Sequence, residues 1–486
     1  MTIDPRTPVI IGISQISYPA PQLDTPLDAI DIMSEAVSAA VADSGGSGVV
    51  EAIDTLAVVA GLFSFRDPAA LIAAEIGAPN ARTVLTSMGG NTPITFTGEL
   101  GDRISRREAD VAVLVCGENN ATRRTLKKQG RRVEDRPEQS SGPMQTWGPI
   151  LEMGSEADTA RGGEFPRNTY AVMDSAIRAH RGESLDDARD RAAELWAGYA
   201  EVAAANPDAA DQSAMTADEI RNPSPTNRMV SWPYTKAMCA NNHVDQAAAV
   251  IIASTEAADR LGVPIDRRIY VHDTITTIDT DSILTRQKLH HVPALALAAE
   301  EMTERWGPLS DIRHLDFYGC FPSVVTLSCE LLGISPSRQL TVTGGLGFAG
   351  APLNFAAGQS LAAMVQVLRS DPSSQGVVQG NGGHASKHSF GLYSAQPPPT
   401  YHVASVAYDQ SPTTAQADPE RSGPVVVDGV TVEHDSEGPS RAVLACRFDD
   451  GSRLWANSTD AVVMNTIETQ ETVGMTGTVR AGLFSF

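Results

Sequence analysis

Two stretches of the chain predict strands and helices in the same order and with similar spacing. The first series ends at the strand Asp110–Cys116, and the second begins at the strand Ile269–Ile275. In each series the third strand, Gln339–Val342 in the second, leads into a glycine-rich turn and then a helix. The two turns are Ser87–Asn91 and Thr343–Ala351. This repeat predicts a duplicated α/β unit, each half a mostly parallel sheet with right-handed crossovers.

A polar region at residues 117–232 interrupts the first series. It is rich in Arg, Glu, Gly and Pro, and it contains one clear helical pattern, Asp186–Ala205, with an apolar face. The regular pattern returns at Val244–Ser254. We therefore expect the polar region to be an insertion outside the sheet.

The C-terminal part of the chain follows a different pattern. The proline-rich linker Gln396–Thr400 precedes short strands such as His402–Ala407 and Val462–Asn465. Asp450-Gly451 separates two further strand patterns and predicts a hairpin. Residues 400–486 are thus expected to form a small antiparallel β domain, a barrel of the OB type.

Charge and composition exclude several classes of protein. The 59 acidic residues against 37 basic ones give a net charge of −22, which disfavours binding to nucleic acid or to anionic membranes. The apolar run Val111–Cys116 is far shorter than the roughly 18 residues of a membrane span. The N-terminus lacks a signal-peptide pattern, and the five cysteines form no CxxC pair. We expect a cytoplasmic protein with no metal and no permanently bound cofactor.

Three strand-to-helix turns place proline at the first helical position, where free N–H groups favour a phosphate or an oxyanion. They are Thr92-Pro93, Phe321-Pro322 and Ala351-Pro352. Cys320 precedes the second of these helices, and the helix N-terminus is expected to lower its thiol pKa. The alternative is that Cys320 is a small buried apolar side chain. Tyr318 is either a proton donor or a structural residue.

Two further segments contain candidate residues. Val378–Phe390 is glycine-rich and includes His384, Lys387 and His388, of which a histidine reaching a substrate pocket is favoured over a metal site. Gly345–Gly350 matches GxGxxG, but it follows a third strand rather than a first, so dinucleotide binding is not favoured.

A cluster of cations stands out in this acidic chain. It comprises Arg123, Arg124, Lys127, Lys128, Arg131 and Arg132. These residues are either a solvated helix face or a clamp for the phosphates of a nucleotide-containing ligand.

Several segments in the same order resemble one known family. Ala109–Glu118 resembles the fourth strand of thiolases, and Asn241–Ser254 resembles their NxSGxNDGAAA segment. Tyr318–Phe321 (YGCF) falls at their NEAF or HDCF motif, Gly345–Leu353 near their GHP loop, and Val378–Gly383 near their CxG loop. Over about residues 7–395 the chain resembles the thiolase superfamily. The similarity is greatest to the sterol-carrier-protein thiolase branch and the group called thiolase-like protein type 1.

The resemblance implies a layered αβαβα fold with three parts. They are an N-terminal half at 1–262 with the insertion 117–232, a C-terminal half at 263–395, and the β domain at 400–486. It also implies a protein of the acetyl-CoA acetyltransferase class, active in acyl-CoA and lipid metabolism, that binds coenzyme A or acyl-CoA. The implied coenzyme A contacts are Arg123, Arg124, Lys127, Lys128, Asn91 and Gly347. Thiolases commonly dimerise, and the sequence leaves a homodimer or a monomer open.

The catalytic positions of the family are not filled by the expected residues. The nucleophile turn reads Ser87-Met88-Gly89-Gly90-Asn91 without cysteine, the GHP histidine falls near Ala351, and the second cysteine falls near Val378. Three hypotheses therefore stay open. The chain binds acyl-CoA without cysteine-dependent thiolase activity, or it is an acyl-CoA lyase or acyltransferase that uses Tyr318, Cys320 or His384, or its β domain recruits a partner enzyme.

Overall fold

The computed structural model describes residues 3–134, 136–137, 142–148, 156–280, 282–407 and 414–486. The first half contains β1 (Pro8–Tyr18), α1 (Ala29–Ser44), α2 (Val49–Ala52), β2 (Thr55–Val58), α3 (Pro68–Ile76), β3 (Arg82–Thr86), α4 (Thr92–Ser105) and β4 (Val111–Asn119). The middle region contains α5 (Asn120–Lys128), β5 (Gln145–Trp147), α6 (Glu156–Arg161), α7 (Pro166–Arg181), α8 (Leu185–Ala205), α9 (Ala217–Arg221), β6 (Met229–Ser231) and β7 (Tyr234–Thr235).

The remaining elements complete the large sheet and form a C-terminal barrel. The first half closes with β8 (Asp245–Ser254) and α10 (Thr255–Arg260). The second half contains β9 (Ile269–Ile278), α11 (Pro293–Trp306), β10 (His314–Asp316), α12 (Pro322–Leu332), α13 (Gly345–Phe348), α14 (Ala356–Ser370), β11 (Gln375–Gly382), β12 (Lys387–Ser394) and β13 (His402–Ala407). The C-terminal part contains β14 (Gly423–His434), β15 (Pro439–Arg447), β16 (Arg453–Ser458), α15 (Ala461–Thr469), β17 (Thr476–Arg480) and β18 (Leu483–Ser485).

The two halves form the predicted layers of helices and sheets. Helix α4 contacts β1, β4 and β8 of the first half and also β9, β11 and β12 of the second half, so it lies between the two halves of the sheet. Helix α14 packs against α4 and, like α4, contacts strands of both halves. Helix α1 covers the outer face of the first half, and α11 covers the outer face of the second. The αβαβα arrangement is therefore confirmed.

The sheets are mixed rather than mostly parallel. Strands β3, β2 and β4 run parallel, whereas β8 and β1 are antiparallel to their neighbours. In the second half β10 and β11 are parallel, and a tight turn at residues 383–386 sends β12 back antiparallel to β11. The segment Gln339–Val342, predicted as a strand, has no strand assignment. The main chain there has one bond to the sheet edge, from Phe317 N to Leu340 O (2.8 Å).

The middle region is only partly an insertion outside the sheet. Strand β5 pairs in parallel with β3 and forms the last strand of the large sheet on that side. Helix α8 confirms the helix predicted at Asp186–Ala205. Ser184 and Asp187 form a capping box at its start, and Leu195, Trp196 and Tyr199 are buried along one face. The middle region thus extends the sheet at one edge and adds helices that pack on the second half.

The C-terminal barrel has the connectivity of an OB fold. Its five strands close in the order β14-β15-β16-β18-β17-β14, with β16 and β18 parallel and α15 between β16 and β17. The hairpin predicted at Asp450-Gly451 is confirmed, with Gly451 at φ +83°. The three-part division of the chain stays a prediction.

Two predictions for the β domain were wrong, one in its sheet and one in its type of element. His402–Ala407 does form a strand, β13, but this strand lies in the large sheet, parallel to β9. Val462–Asn465 lies in the helix α15, because Asp460 accepts a hydrogen bond from Val462 N and caps it. The buried Val463, Met464 and Ile467 form one face of that helix. Among the described residues, no helix combines the length and the apolarity needed to cross a bilayer.

Candidate active site

The candidate site surrounds the glycine turn between β3 and α4. A Cβ on Gly90 would lie 2.2 Å from Tyr318 Oη and 2.3 Å from the carbonyl oxygen of Asn381, so residue 90 can have no side chain. Gly89 has φ +155°, which side chains rarely allow. The turn therefore brings bare backbone against the ends of the strands of the second half.

On one side of this turn lies a buried lysine. Lys387, the first residue of β12, is 6% exposed. Within the described residues its Nζ has no hydrogen bond or ion pair, and burial lowers its pKa. A Cβ on Gly89 would lie 3.5 Å from Lys387 Nζ, so the amine points at the space where a side chain of the turn would stand.

Asn91 lies on the same side as Lys387. The point where a Cβ of Gly89 would stand is 2.6 Å from Asn91 Oδ1, and the corresponding point at Gly382 is 2.5 Å from it. Asn91 Nδ2 donates to Thr95 Oγ1 (3.2 Å), but Asn91 Oδ1 is buried without a hydrogen-bond partner among the described residues. Such an oxygen is costly to bury unless a ligand or water binds it.

On the other side of the turn lie Tyr318, Asn381 and Cys320. Asn381 Nδ2 donates to Cys320 Sγ (3.6 Å), and in the part of the chain that the structure describes Asn381 Oδ1 is buried without a hydrogen-bond partner. Burial raises the pKa of the Cys320 thiol to about 12. Burial also raises the pKa of Tyr318, and the nearby Cys320 raises it further. Both groups are therefore protonated at neutral pH, and the expected lowering of the Cys320 pKa by the helix N-terminus is outweighed by desolvation.

A tyrosine from the middle region holds the turn between β11 and β12. Tyr170 Oη accepts hydrogen bonds from Asn381 Nδ2 (2.8 Å) and from Ala385 N (3.0 Å), and it donates to the carbonyl oxygen of Gly383 (3.2 Å). Its ring stacks on Phe321 at 4.7 Å. Helix α7 thus positions the residues that face the glycine turn.

The two histidines of this turn are neutral. His384 Nε2 donates to the carbonyl oxygen of Glu164 (3.2 Å), and burial lowers the pKa of His384 to about 4. His388 Nε2 donates to the carbonyl oxygen of Ala385 (3.2 Å), and burial lowers the pKa of His388 to about 3. His388 therefore supports the turn, and the ring of His384 is bonded to the main chain at Glu164.

The basic residues lie on α5, at the end of β4. Arg123, Arg124, Lys127 and Lys128 are all exposed. Arg123 Nη1 donates to the carbonyl oxygen of Leu62 (3.1 Å), and Arg124 Nη1 donates to Asn242 Oδ1 (3.0 Å). The pKa of His243 is lowered mainly by burial and also by Arg124, Lys128 and Lys236. Lys236, from a separate segment, therefore belongs to the same positive surface.

Residues 237–241 link this surface to the glycine turn of the second half. A Cβ on Gly347 would lie 3.0 Å from the carbonyl oxygen of Ala237. Asn241 N donates to the carbonyl oxygen of Leu346 (2.9 Å), and Leu346 N donates to that of Gly319 (3.1 Å), next to Cys320. A continuous main-chain path thus joins the basic surface to the strand end that holds Tyr318 and Cys320.

Comparison with known proteins supports the thiolase resemblance. No protein-family model and no curated protein matches the chain. Among solved structures it is similar to a monomeric SCP2-thiolase-like protein type 1 from Mycobacterium smegmatis. The identity is 28%, the TM-score is 0.85, and 100% of both chains is covered. The chain has the fold of the thiolase superfamily, and over its whole length it resembles the SCP2-thiolase-like branch.

Two structures of lower sequence identity show the same fold. The chain is similar to an Ltp2–ChsH2(DUF35) aldolase at 18% identity and a TM-score of 0.60, covering 81% of this chain and 99% of that one. It is also similar to human mitochondrial 3-ketoacyl-CoA thiolase in complex with CoA, at 17% identity and a TM-score of 0.56. That match covers 80% of this chain and 98% of the other.

The residues predicted for the thiolase-like site do not all lie together. Tyr318, Cys320 and Asn91 border the glycine turn, whereas the His384 ring is bonded to Glu164. Arg123, Arg124, Lys127 and Lys128 form a separate surface, and Gly347 lies on the path between that surface and Cys320. The roles assigned to these residues stay predictions.

Sequence reasoning missed that Lys387, Asn381 and Tyr170 lie at this turn. Lys387 stood in the glycine-rich segment, and it is the only buried one of the chain's five lysines, all of which the structure describes. The available signal was a lysine in a segment, Val378–Phe390, that has no other Asp, Glu, Lys or Arg. Tyr170 lies 211 residues from Asn381 along the chain, and no local pattern indicates that contact.

Proposed function

We propose that the chain is an acyl-CoA-binding protein of the acetyl-CoA acetyltransferase class that forms no acyl-cysteine intermediate. The observation that carries the proposal is the glycine turn, where a side chain at residue 90 would overlap Tyr318 and Asn381. A thiolase needs a thiolate to accept the acyl group. Cys320, the nearest candidate, is buried and has a pKa of about 12, so its thiolate is scarce at neutral pH.

Binding of coenzyme A is supported by the basic surface on α5. Arg123, Arg124, Lys127 and Lys128 concentrate positive charge in a chain whose net charge is −22. Phosphate groups bind well to such clusters, and a related thiolase structure is a complex with CoA.

The first experiment measures binding and turnover together. Purified protein is incubated with acetyl-CoA, 3-ketoacyl-CoA and β-hydroxyacyl-CoA, and the products are identified by mass spectrometry while melting temperatures are recorded. We expect the thioesters to raise the melting temperature without an acyl-cysteine adduct. An unchanged melting temperature with every thioester would contradict the proposed binding, and a stable acyl adduct on Cys320 would contradict the proposed absence of covalent chemistry.

The basic surface is tested by charge reversal. The variant R124E/K128E is expected to weaken CoA binding at least about tenfold, because two attractive charges become repulsive. The matched control R106E/R260E changes the net charge equally at two other exposed arginines and is expected to bind CoA normally. If the wild type and both variants bound CoA equally well, α5 would not be part of the CoA site. The melting temperatures would still decide whether the protein binds CoA at all.

A second candidate function is cleavage of a β-hydroxyacyl-CoA by a retro-aldol reaction. It is favoured by the phenol of Tyr318 at the bare turn and by the OB-type barrel fused to the same chain. Because burial raises the pKa of Tyr318, its role would be to donate a hydrogen bond to the enolate oxygen rather than to act as a base. Tyr318→Phe is then expected to reduce cleavage at least about tenfold, and unchanged cleavage would exclude this assignment.

We further propose that the protein is a cytoplasmic monomer. Strand β5 covers the edge of β3, and the similar structure from Mycobacterium smegmatis is described as monomeric. The cysteines are free, which suits a reducing compartment. Recruitment of a partner enzyme by the barrel stays a prediction. A pull-down with the full chain, compared with Leu483→Glu at an exposed position of the barrel, would test it.

A further inference from the structure

Lys387 is a buried amine that the proposed binding function does not use. It is 6% exposed, whereas the other four lysines, Lys127, Lys128, Lys236 and Lys288, are exposed. Nothing among the described residues offers its Nζ a carboxylate or a hydrogen bond. A charged ammonium in such a place loses its hydration without gaining a partner, so burial lowers the pKa of Lys387.

Glycine backbone, rather than side chains, borders Lys387 on two sides. Its Nζ lies 3.5 Å from the point where a Cβ of Gly89 would stand, and its Cε lies 3.2 Å from that point at Gly382. Asn91 Oδ1, which is buried and has no hydrogen-bond partner among the described residues, approaches the same two points at 2.6 and 2.5 Å. A buried amine and a buried acceptor oxygen, both without a protein partner in the described part of the chain, therefore border the same two glycines.

We propose that Lys387 is a nucleophile that captures the ketone carbonyl of a 3-oxoacyl thioester as an imine. The amine lone pair attacks the ketone carbon and the nitrogen gives up one of its two protons. The carbonyl oxygen takes up that proton and a second one and leaves as water, so the product is an iminium ion that keeps one N–H. The step needs no oxidant or reductant. Asn91 Oδ1 accepts the N–H of the resulting iminium ion, and the phenol of Tyr318, across the glycine turn, is a source for a proton on the departing oxygen.

This inference rests on the proposed binding of acyl thioesters and adds the class of ligand, one with a ketone. The thioester carbonyl itself is not the target, because attack there would expel the thiol and leave a stable amide. A plain acyl-CoA such as acetyl-CoA should therefore bind without forming an adduct.

The experiment is reductive trapping on the full chain. The protein is incubated with acetoacetyl-CoA or its shorter N-acetylcysteamine thioester, reduced with sodium borohydride, digested with trypsin and mapped by mass spectrometry. We expect a reduced adduct on Lys387 at least about tenfold above that on each exposed lysine. Trypsin should also fail to cleave after the modified residue. Acetyl-CoA under the same conditions should give none.

Two variants separate the chemistry from the binding. Lys387→Met keeps an unbranched side chain of similar length but has no amine, so it should lose the adduct and keep the rise in melting temperature with acetoacetyl-CoA. Lys288→Arg, at an exposed lysine, should trap as the wild type does. An adduct spread evenly over the lysines, or absent while the melting temperature still rises, would overturn the inference and leave the proposed binding intact. If neither thioester gave an adduct or raised the melting temperature, both this inference and the proposed binding would be overturned.

Discussion

At the scale of single residues, Gly90 determines what the site can hold. Gly90→Ala would place a Cβ 2.2 Å from Tyr318 Oη and 2.3 Å from the Asn381 carbonyl oxygen, so the turn or the strand end must move. We expect a loss of about 1–3 kcal/mol in the free energy of unfolding, measured in urea. Gly198→Ala, in an exposed position of α8 with nothing within 4 Å, should instead stabilise the protein by about 0.5–1 kcal/mol. Equal effects of the two substitutions would contradict the crowding at the turn.

The reactivity of Cys320 depends on pH in a direction that burial determines. Burial disfavours the thiolate and raises the pKa of Cys320 to about 12. At every pH below this pKa, raising the pH by one unit increases the thiolate fraction about tenfold. Alkylation of Cys320 by iodoacetamide, followed by peptide mass spectrometry, should be very slow at pH 7 and accelerate through pH 10. The same thiol in urea should react at once. Rapid alkylation of the folded protein at pH 7 would show that Cys320 is an activated nucleophile.

At the scale of elements, β5 protects the edge of the large sheet. Trp147 anchors β5, because its ring stacks on Phe96 at 6.3 Å and the Arg103 guanidinium lies 4.0 Å from its centre. Trp147→Ala should release β5 and expose β3, which is then free to pair with a second copy. Light scattering should show a monomer for the wild type and for Met144→Ala, and a mass that grows with concentration for Trp147→Ala. A variant that stays monomeric at every concentration would show that β5 is not what prevents pairing.

At the scale of the whole molecule, one arginine ties the barrel to the second half of the thiolase-like fold. Arg453 is 4% exposed, pairs with Asp428 at 2.7 Å, and donates to the carbonyl oxygens of Leu284 (3.3 Å) and Gln287 (2.9 Å). Arg453→Met should separate the unfolding of the barrel from that of the rest and cost about 1.5–3 kcal/mol. Arg447→Met removes only the bond to Asp428 within the barrel, so it should keep a single thermal transition. Differential scanning calorimetry checks this by counting the thermal transitions of each variant.

Much of the fold followed from local patterns, and the errors had tertiary causes. Alternating strands and helices predicted the layered halves, and Asp450-Gly451 predicted a hairpin of the barrel. His402–Ala407 was placed in the wrong sheet, because strand periodicity cannot say which edge a strand joins. Val462–Asn465 became a helix because a capping aspartate and a helical apolar face outweighed a short run that also suits a strand.

The sequence alone determined the resemblance to thiolases, the duplicated architecture and the absence of cysteine from the nucleophile turn, because these depend on residue order and local pattern. Only the tertiary structure decided which groups face that turn. Tyr170, Tyr318 and Lys387 come from three distant segments, and the protonation of Cys320 and Lys387 depends on burial, which no single segment specifies. The chemistry of the site arises where the chain packs, since desolvation and unpaired acceptors exist only once distant segments have come together.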